Sequence, residues 1–113
     1  MYMTNKIIET IKNADSGRYI IFYTADCGFS RAALKLLDDK NILHSKRDIY
    51  QIKFSLEKNI LEMTGKEKIN AIINIFRDNS SEIGFDVGHS TRPIIFYNGK
   101  FVGGYSDLKK IIG

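Results

Sequence analysis

The sequence predicts an α/β fold, a four-stranded mixed sheet flanked by helices. Three observations carry that expectation. A short apolar run, RYIIFYT (18–24), leads directly into a helical pattern; two β-rich runs flank Asn98-Gly99; and helical periodicities fill the chain between and beyond them. At 113 residues the chain suits one domain, 1–113, large enough to bury a core without disulfide staples.

Residues 4–13 place Ile7, Ile8 and Ile11 on one helical face, opened by Thr4 as an N-cap. Asp15-Ser16-Gly17 breaks that helix. RYIIFYT is too short for a helix and apolar throughout, the pattern of a strand buried on both faces. After the cysteine, Phe29, Ala33, Leu36 and Leu37 fall on one face of a helix reaching to about Lys40. HSKRDIY (44–50) is a more polar strand, placed near a sheet edge. FSLEKNILEMTG (54–65) reads as a helix stopped by Gly65, and KEKINAIINIFR (66–77) as a second one, with Ile69, Ile72, Ile73 and Phe76 at helical spacing. Residues 78–90 are loop-like, dense in Asp, Asn, Ser and Gly. The runs 93–97 and 100–105 flank the hairpin dipeptide Asn98-Gly99, and 106–112 forms a short closing helix. A strand, helix and strand in succession imply a parallel unit, to which the hairpin adds an antiparallel pair.

The net charge is +4, with 17 basic and 13 acidic residues interleaved and no basic block, so no nucleic-acid partner is expected. No apolar run approaches the roughly 18–20 residues that span a bilayer, and the first residues lack the apolar core of a secretory leader. Neither a membrane partner nor export is expected. One cysteine forms no intramolecular disulfide, which fits a reducing, cytoplasmic setting.

That cysteine, Cys27 in TADCGFSR (24–31), sits at the seam between the apolar strand and the helix. A helix N-terminus offers unpaired N–H groups and positive potential, and both favour a thiolate. Ser30, one turn on, can donate to the sulfur; Arg31 adds positive charge, and Asp26 opposes it. A lone cysteine is more often a small, inert hydrophobe, and the thiol alone does not decide between the two.

At this point the sequence resembles the glutaredoxins, a family with the thioredoxin-like fold. YTADCGFS after a hydrophobic strand is similar to the single-cysteine Cys-Gly-Phe-Ser active-site loop, and TRPIIFYNGKFVGGYSDL (91–108) to the family's Thr-Val-Pro segment, hairpin and Gly-Gly turn. The two blocks cover most of 18–54 and 91–113. The resemblance implies glutathione as cofactor, with Cys27 and Ser30 catalytic. It implies that Phe29, Thr91, Arg92, Pro93, Gly104, Ser106 and Asp107 bind it, with Pro93 cis beside the thiol. Gly103 and Gly104 would admit the ligand to the backbone. Ser106 and Asp107, at a helix start, would take the γ-glutamyl carboxylate and ammonium.

Three departures stand out. The family's lysine shortly before the cysteine is missing, with Thr24 in that region; Arg92 is the nearest substitute, and Lys66 and Lys68 are more distant ones. The longer loop and the tryptophan of relatives that handle iron–sulfur clusters are absent, and His89 stands where the tryptophan would be. His44 reads as structural. The stretch from Asp48 to Pro93 is also longer than the family needs, which places an added helix and loop around 66–90, its apolar stripe read as extra core or a partner surface.

Two functions share these residues. One is monothiol exchange, in which Cys27 forms a mixed disulfide with glutathione and glutathionylated proteins are the partners. The other is a [2Fe–2S] module, a dimer in which Cys27 of each protomer and two glutathiones supply four sulfurs; without a cluster the chain would be a monomer. A third reading, an arsenate-reductase-like protein, would use Cys27, Arg31, Arg92 and Pro93.

Overall fold

The structure, a computed structural model, describes residues 3–14, 16–52 and 63–113, with the backbone alone for 3–5. Its centre is the strand β1 (Tyr19–Tyr23), which pairs in parallel with β2 (His44–Asp48) and antiparallel with β3 (Ile94–Tyr97). β4 (Lys100–Gly103) completes the sheet in the order β2-β1-β3-β4. The expected mixed four-stranded sheet is present, and the polar strand β2 does occupy an edge.

β1 is apolar throughout because its alternate side chains enter two different cores. Ile20 and Phe22, with Ile94 and Phe96 of β3, face one core; Tyr19 and Ile21, with Ile95, face the other. The helices α1 (Met3–Lys12), α3 (Gly65–Asp78) and α4 (Ser80–Ile83) cover the first face through Ile8, Ile11, Ile72, Phe76 and Ile83. The helices α2 (Gly28–Asp39) and α5 (Tyr105–Ile112) cover the second through Ala33, Leu37 and Leu108. The stripe on 69–76 is therefore core: Ile72 and Phe76 are fully buried.

The Asn98-Gly99 hairpin forms as expected, both residues adopting positive φ (51° and 80°). Asn98 also accepts the Gly17 N–H at 2.9 Å, tying the hairpin tip to the turn before β1. A register shift between Ile95 and Phe96 sets two residues of β4 against the step in β3.

Several expectations need correction. Thr4 lies inside α1 rather than capping it, since the helix begins at Met3. Gly65 is not a helix stop but the first residue of α3: Thr64 Oγ1 accepts the Glu67 N–H at 3.1 Å, and the Glu67 carboxylate accepts the Thr64 N–H at 2.9 Å. That reciprocal pair starts a helix and overrides glycine's preference for ends. The rest of the helix expected over 54–65 lies almost wholly outside the described residues. The loop expected over 78–90 contains α4, closed by Gly84 at φ 66°. The tail of the strand expected at 44–50 is a 3₁₀ turn, Ile49–Gln51, capped by Asp48. Among the described residues no helix is long and apolar enough to cross a membrane.

Phe76 packs edge-on against Phe22 and Phe96, with centroids 5.1 and 5.0 Å away. Truncating it leaves a cavity at the centre of the larger core. Phe76→Ala should lower the unfolding free energy by about 3–5 kcal/mol, read from the shift of a urea denaturation midpoint. A cost below about 1 kcal/mol would show that α3 is peripheral.

Candidate functional site

β1 ends at Tyr23, Thr24 is fully buried, and the chain turns sharply so that the Cys27 N–H donates to Thr24 O at 3.1 Å. Cys27 has extended backbone (φ −102°, ψ 122°) and occupies the N-cap of α2, its carbonyl accepting the Arg31 N–H at 3.1 Å. The seam read from the sequence is thus a helix N-terminus with a sulfur in place of a capping oxygen. The thiol is partly exposed. It donates to Arg92 O at 3.6 Å, across the cis bond between Arg92 and Pro93.

Burial of Cys27 pushes its pKa up, but the opposing contacts outweigh it. The Ser30 N–H and hydroxyl, the Phe29 N–H and the Arg92 guanidinium together hold the thiol below the value of an ordinary cysteine. Ser30 is fully buried, and its hydroxyl also accepts the Thr24 N–H at 3.4 Å, which fixes it beneath the sulfur. Arg31, expected to charge the thiol, instead donates to Ala25 O at 2.7 Å and braces the loop. Arg92 contributes the favourable charge in its place.

Beside the thiol runs a groove of about 310 Å³, lined by Phe29, His89, Thr91, Arg92, Gly104, Tyr105, Ser106 and Asp107. Six of the seven residues singled out as ligand-binding line it; Pro93 is buried behind, its carbonyl facing Gly104. Phe29 departs from its expected burial. It lies in the first turn of α2, beyond the sheet, 65% exposed and stacked on Tyr105 with centroids 6.2 Å apart. Tyr105 carries no sequence signal beyond its place after the Gly-Gly pair.

At the far wall Asp107 Oδ2 accepts the Gly104 N–H at 3.1 Å, so Gly104 caps α5 while Ser106 and Asp107 belong to its first turn. Gly103 is demanded on two counts. Its φ is 136°, and a Cβ there would run into the Asp107 carboxylate. A Cβ on Gly104 would meet only ordinary contacts, at 3.6 Å from His89 and Pro93 O. His89 packs edge-on against Phe101 and Phe85, with centroids 5.0 and 6.1 Å away. His44 is structural: Nδ1 lies 2.7 Å from Ile42 O and Nε2 3.3 Å from Asp38.

Sequence reasoning missed Tyr50. Its hydroxyl donates to the Asp26 carboxylate, 3.0 Å from Oδ2 and 3.3 Å from Oδ1. That hydrogen bond, aided by Thr24 and Arg92 against a smaller desolvation, holds the Asp26 carboxyl below its usual range. Lys68, a distant candidate for ligand charge, is committed to Tyr50 O at 2.6 Å. Lys66 is exposed on α3.

No protein-family model matches the chain. A probable glutaredoxin of Acanthamoeba polyphaga mimivirus is 30% identical over 111 residues, spanning 98% of this chain and 92% of that relative. Among solved structures, a buckwheat glutaredoxin–glutathione complex superposes with a TM-score of 0.61 at 17% identity, covering 96% of this chain and 76% of that one. The dithiolic glutaredoxin of Trypanosoma brucei brucei superposes with a TM-score of 0.57 at 23% identity, covering 93% and 84%.

The lowered thiol pKa has a definite sign. The folded chain favours the thiolate, so its stabilising contribution is complete above the ordinary thiol pKa and is lost as pH falls through the lowered one. The pH midpoint for thiolate formation, followed at 240 nm, should lie below that of a free cysteine. Ser30→Ala should raise it; a midpoint unmoved by that change would remove the hydroxyl from the account.

Proposed function

This chain belongs to the glutaredoxin family of redox proteins, and from that premise we propose that it is a glutathione-dependent monothiol thiol–disulfide oxidoreductase. The observation that carries the proposal is the pairing of one lowered-pKa thiol with the groove beside it. The glutathione bound to the buckwheat protein supports the same ligand here.

The chemistry follows from there being one thiol. The Cys27 thiolate attacks the glutathione sulfur of a glutathionylated protein, breaking that disulfide and releasing the protein thiolate, which takes up a proton. A second glutathione, as thiolate, then attacks the Cys27–glutathione disulfide, yielding oxidised glutathione and free Cys27. Ser30 has no sulfur with which to resolve the disulfide internally; its hydroxyl stabilises the negative charge on the attacking and leaving Cys27 sulfur. Arg92 supplies a cation for the glycine carboxylate in place of the missing lysine. The first turn of α5 offers N–H groups to the γ-glutamyl carboxylate, and Asp107 a counter-charge for its ammonium.

A [2Fe–2S] cluster fits one chain poorly. Cys27 is the single cysteine, and among the described residues no cluster of three or more His, Cys, Asp or Glu side chains could hold a metal ion. Two protomers and two glutathiones would have to supply the four sulfurs. The Cys-Gly-Phe-Ser tetrad suits that assembly, whereas the short loop before Cys27 suits turnover. The same reading takes 1–113 as one domain, with 66–90 as a segment added before the cis-proline, working in a reducing compartment on glutathionylated proteins.

Three measurements test the proposal. The protein should reduce a glutathione mixed disulfide, and Cys27→Ser should abolish that turnover. Anaerobic protein given iron, sulfide and glutathione should stay colourless; a brown dimer without reductase turnover would reverse the assignment. Arg92→Ala should weaken glutathione binding by about tenfold, the loss of one charge-assisted contact.

A further inference from the structure

Tyr50 is not among the residues that line the groove, and it is held from three sides. Its N–H donates to Asp48 Oδ1 at 3.0 Å, and its carbonyl accepts from Lys68 at 2.6 Å. Its ring lies so close over Gly65 that a Cβ there would stand 2.7 Å from Cε1 and 3.2 Å from Cζ. Those three supports come from the end of β2 and the first turns of α3. They aim the hydroxyl at both oxygens of Asp26, the residue immediately before the thiol.

Among the described residues, the charged groups at this contact include Asp48 and Lys68, which hold the Tyr50 backbone, together with Arg92 and Arg31. The positive charge of Arg92 favours the ionised form of Cys27, of Asp26 and of Tyr50; for Tyr50, burial and the Asp26 hydrogen bond outweigh it and hold the phenol above its usual value. Arg31, in the first turns of α2, is bound to Ala25 O. A carboxylate left unanchored here has two places to go. Turned towards the sulfur, it repels the thiolate; turned onto Arg92, it neutralises the cation that favours the thiolate. Either move makes Cys27 less acidic. Bound to Tyr50, the carboxylate stays at the exposed rim.

We propose that Tyr50, propped by the start of α3, is a positioning residue that holds the Asp26 carboxylate away from Cys27 and Arg92 and thereby keeps the thiol reactive. The helix that carries Gly65 and Lys68 is on this account more than extra core, because its first turns set the geometry of the catalytic loop. The proposal rests on the reading of Cys27 as the reacting thiol.

The test is the pH profile of Cys27 alkylation by iodoacetamide, which reports thiolate without requiring glutathione. Tyr50→Phe removes only the hydroxyl. It should shift the profile to higher pH and slow alkylation about threefold on the acid side of the midpoint. Asp26→Asn should shift the profile to lower pH. In the Asp26→Asn background Tyr50→Phe should have no further effect, whereas a merely structural tyrosine would act equally in both backgrounds. Gly65→Ala provides a second route: alanine is the better helix former, so α3 is retained while its Cβ displaces the ring. Its profile should shift as that of Tyr50→Phe does, and it decides the matter alone if Tyr50→Phe fails to fold. An unshifted profile in Gly65→Ala or Tyr50→Phe, or a Tyr50→Phe effect undiminished by Asp26→Asn, overturns the proposal. Shifted profiles in a protein without deglutathionylation turnover would support the role of Tyr50 and overturn the glutathione assignment instead.

Discussion

Everything in this molecule depends on β1 being buried on both faces and paired on both edges. Five residues, Tyr19–Tyr23, meet two cores and two neighbouring strands at once. Side chains alternate across a strand, so such a position admits no polar residue on either side until the chain leaves the sheet. It leaves at Thr24, itself fully buried, and the turn that follows delivers Cys27 to the first N–H groups of α2. The thiol is placed by the strand that carries it, and the loop need only be tight.

The site is then assembled from three separate parts of the chain. α2 contributes the sulfur's N–H donors and Ser30. The segment before β3 brings Arg92, whose carbonyl accepts from the thiol and whose guanidinium favours the thiolate. The first turn of α5 closes the groove with Asp107, and the short path from β4 requires Gly103 at φ 136°. Burial alone would make this cysteine a poor nucleophile. The Ser30 and Phe29 contacts, local to α2, and the charge of Arg92 outweigh burial and lower the thiol's pKa, and Arg92 arrives because β1 and β3 are neighbours in the sheet.

Much of this was legible along the chain. The hairpin, the strand feeding the cysteine and the buried stripe on 69–76 follow from local patterns, turn chemistry and periodicity, and most of the groove from what the family resemblance implies. The errors share one cause. Gly65 looks like a stop when read by propensity, but the Thr64–Glu67 pair makes it a start, and Tyr50 needs a residue without a side chain beneath its ring. Phe29 matches the apolar face of α2 by spacing, yet in its first turn there is no sheet left to cover it. Arg31 stands nearer the thiol in sequence than Arg92, but its side chain is bound to Ala25 O.

By itself the sequence determined the alternation of strands and helices, the family, and the fact that the chain has one thiol and no second to resolve it. Those properties reside in composition, in spacing and in runs of contiguous residues. Only the tertiary structure decided what surrounds that thiol: Arg92 reaches Cys27 from 65 positions along the chain, and Tyr50 reaches Asp26 from 24. Coulomb and hydrogen-bond energies depend on distance in space, and pairing β1 with β2 and β3 is what turns those separations of tens of residues into contacts.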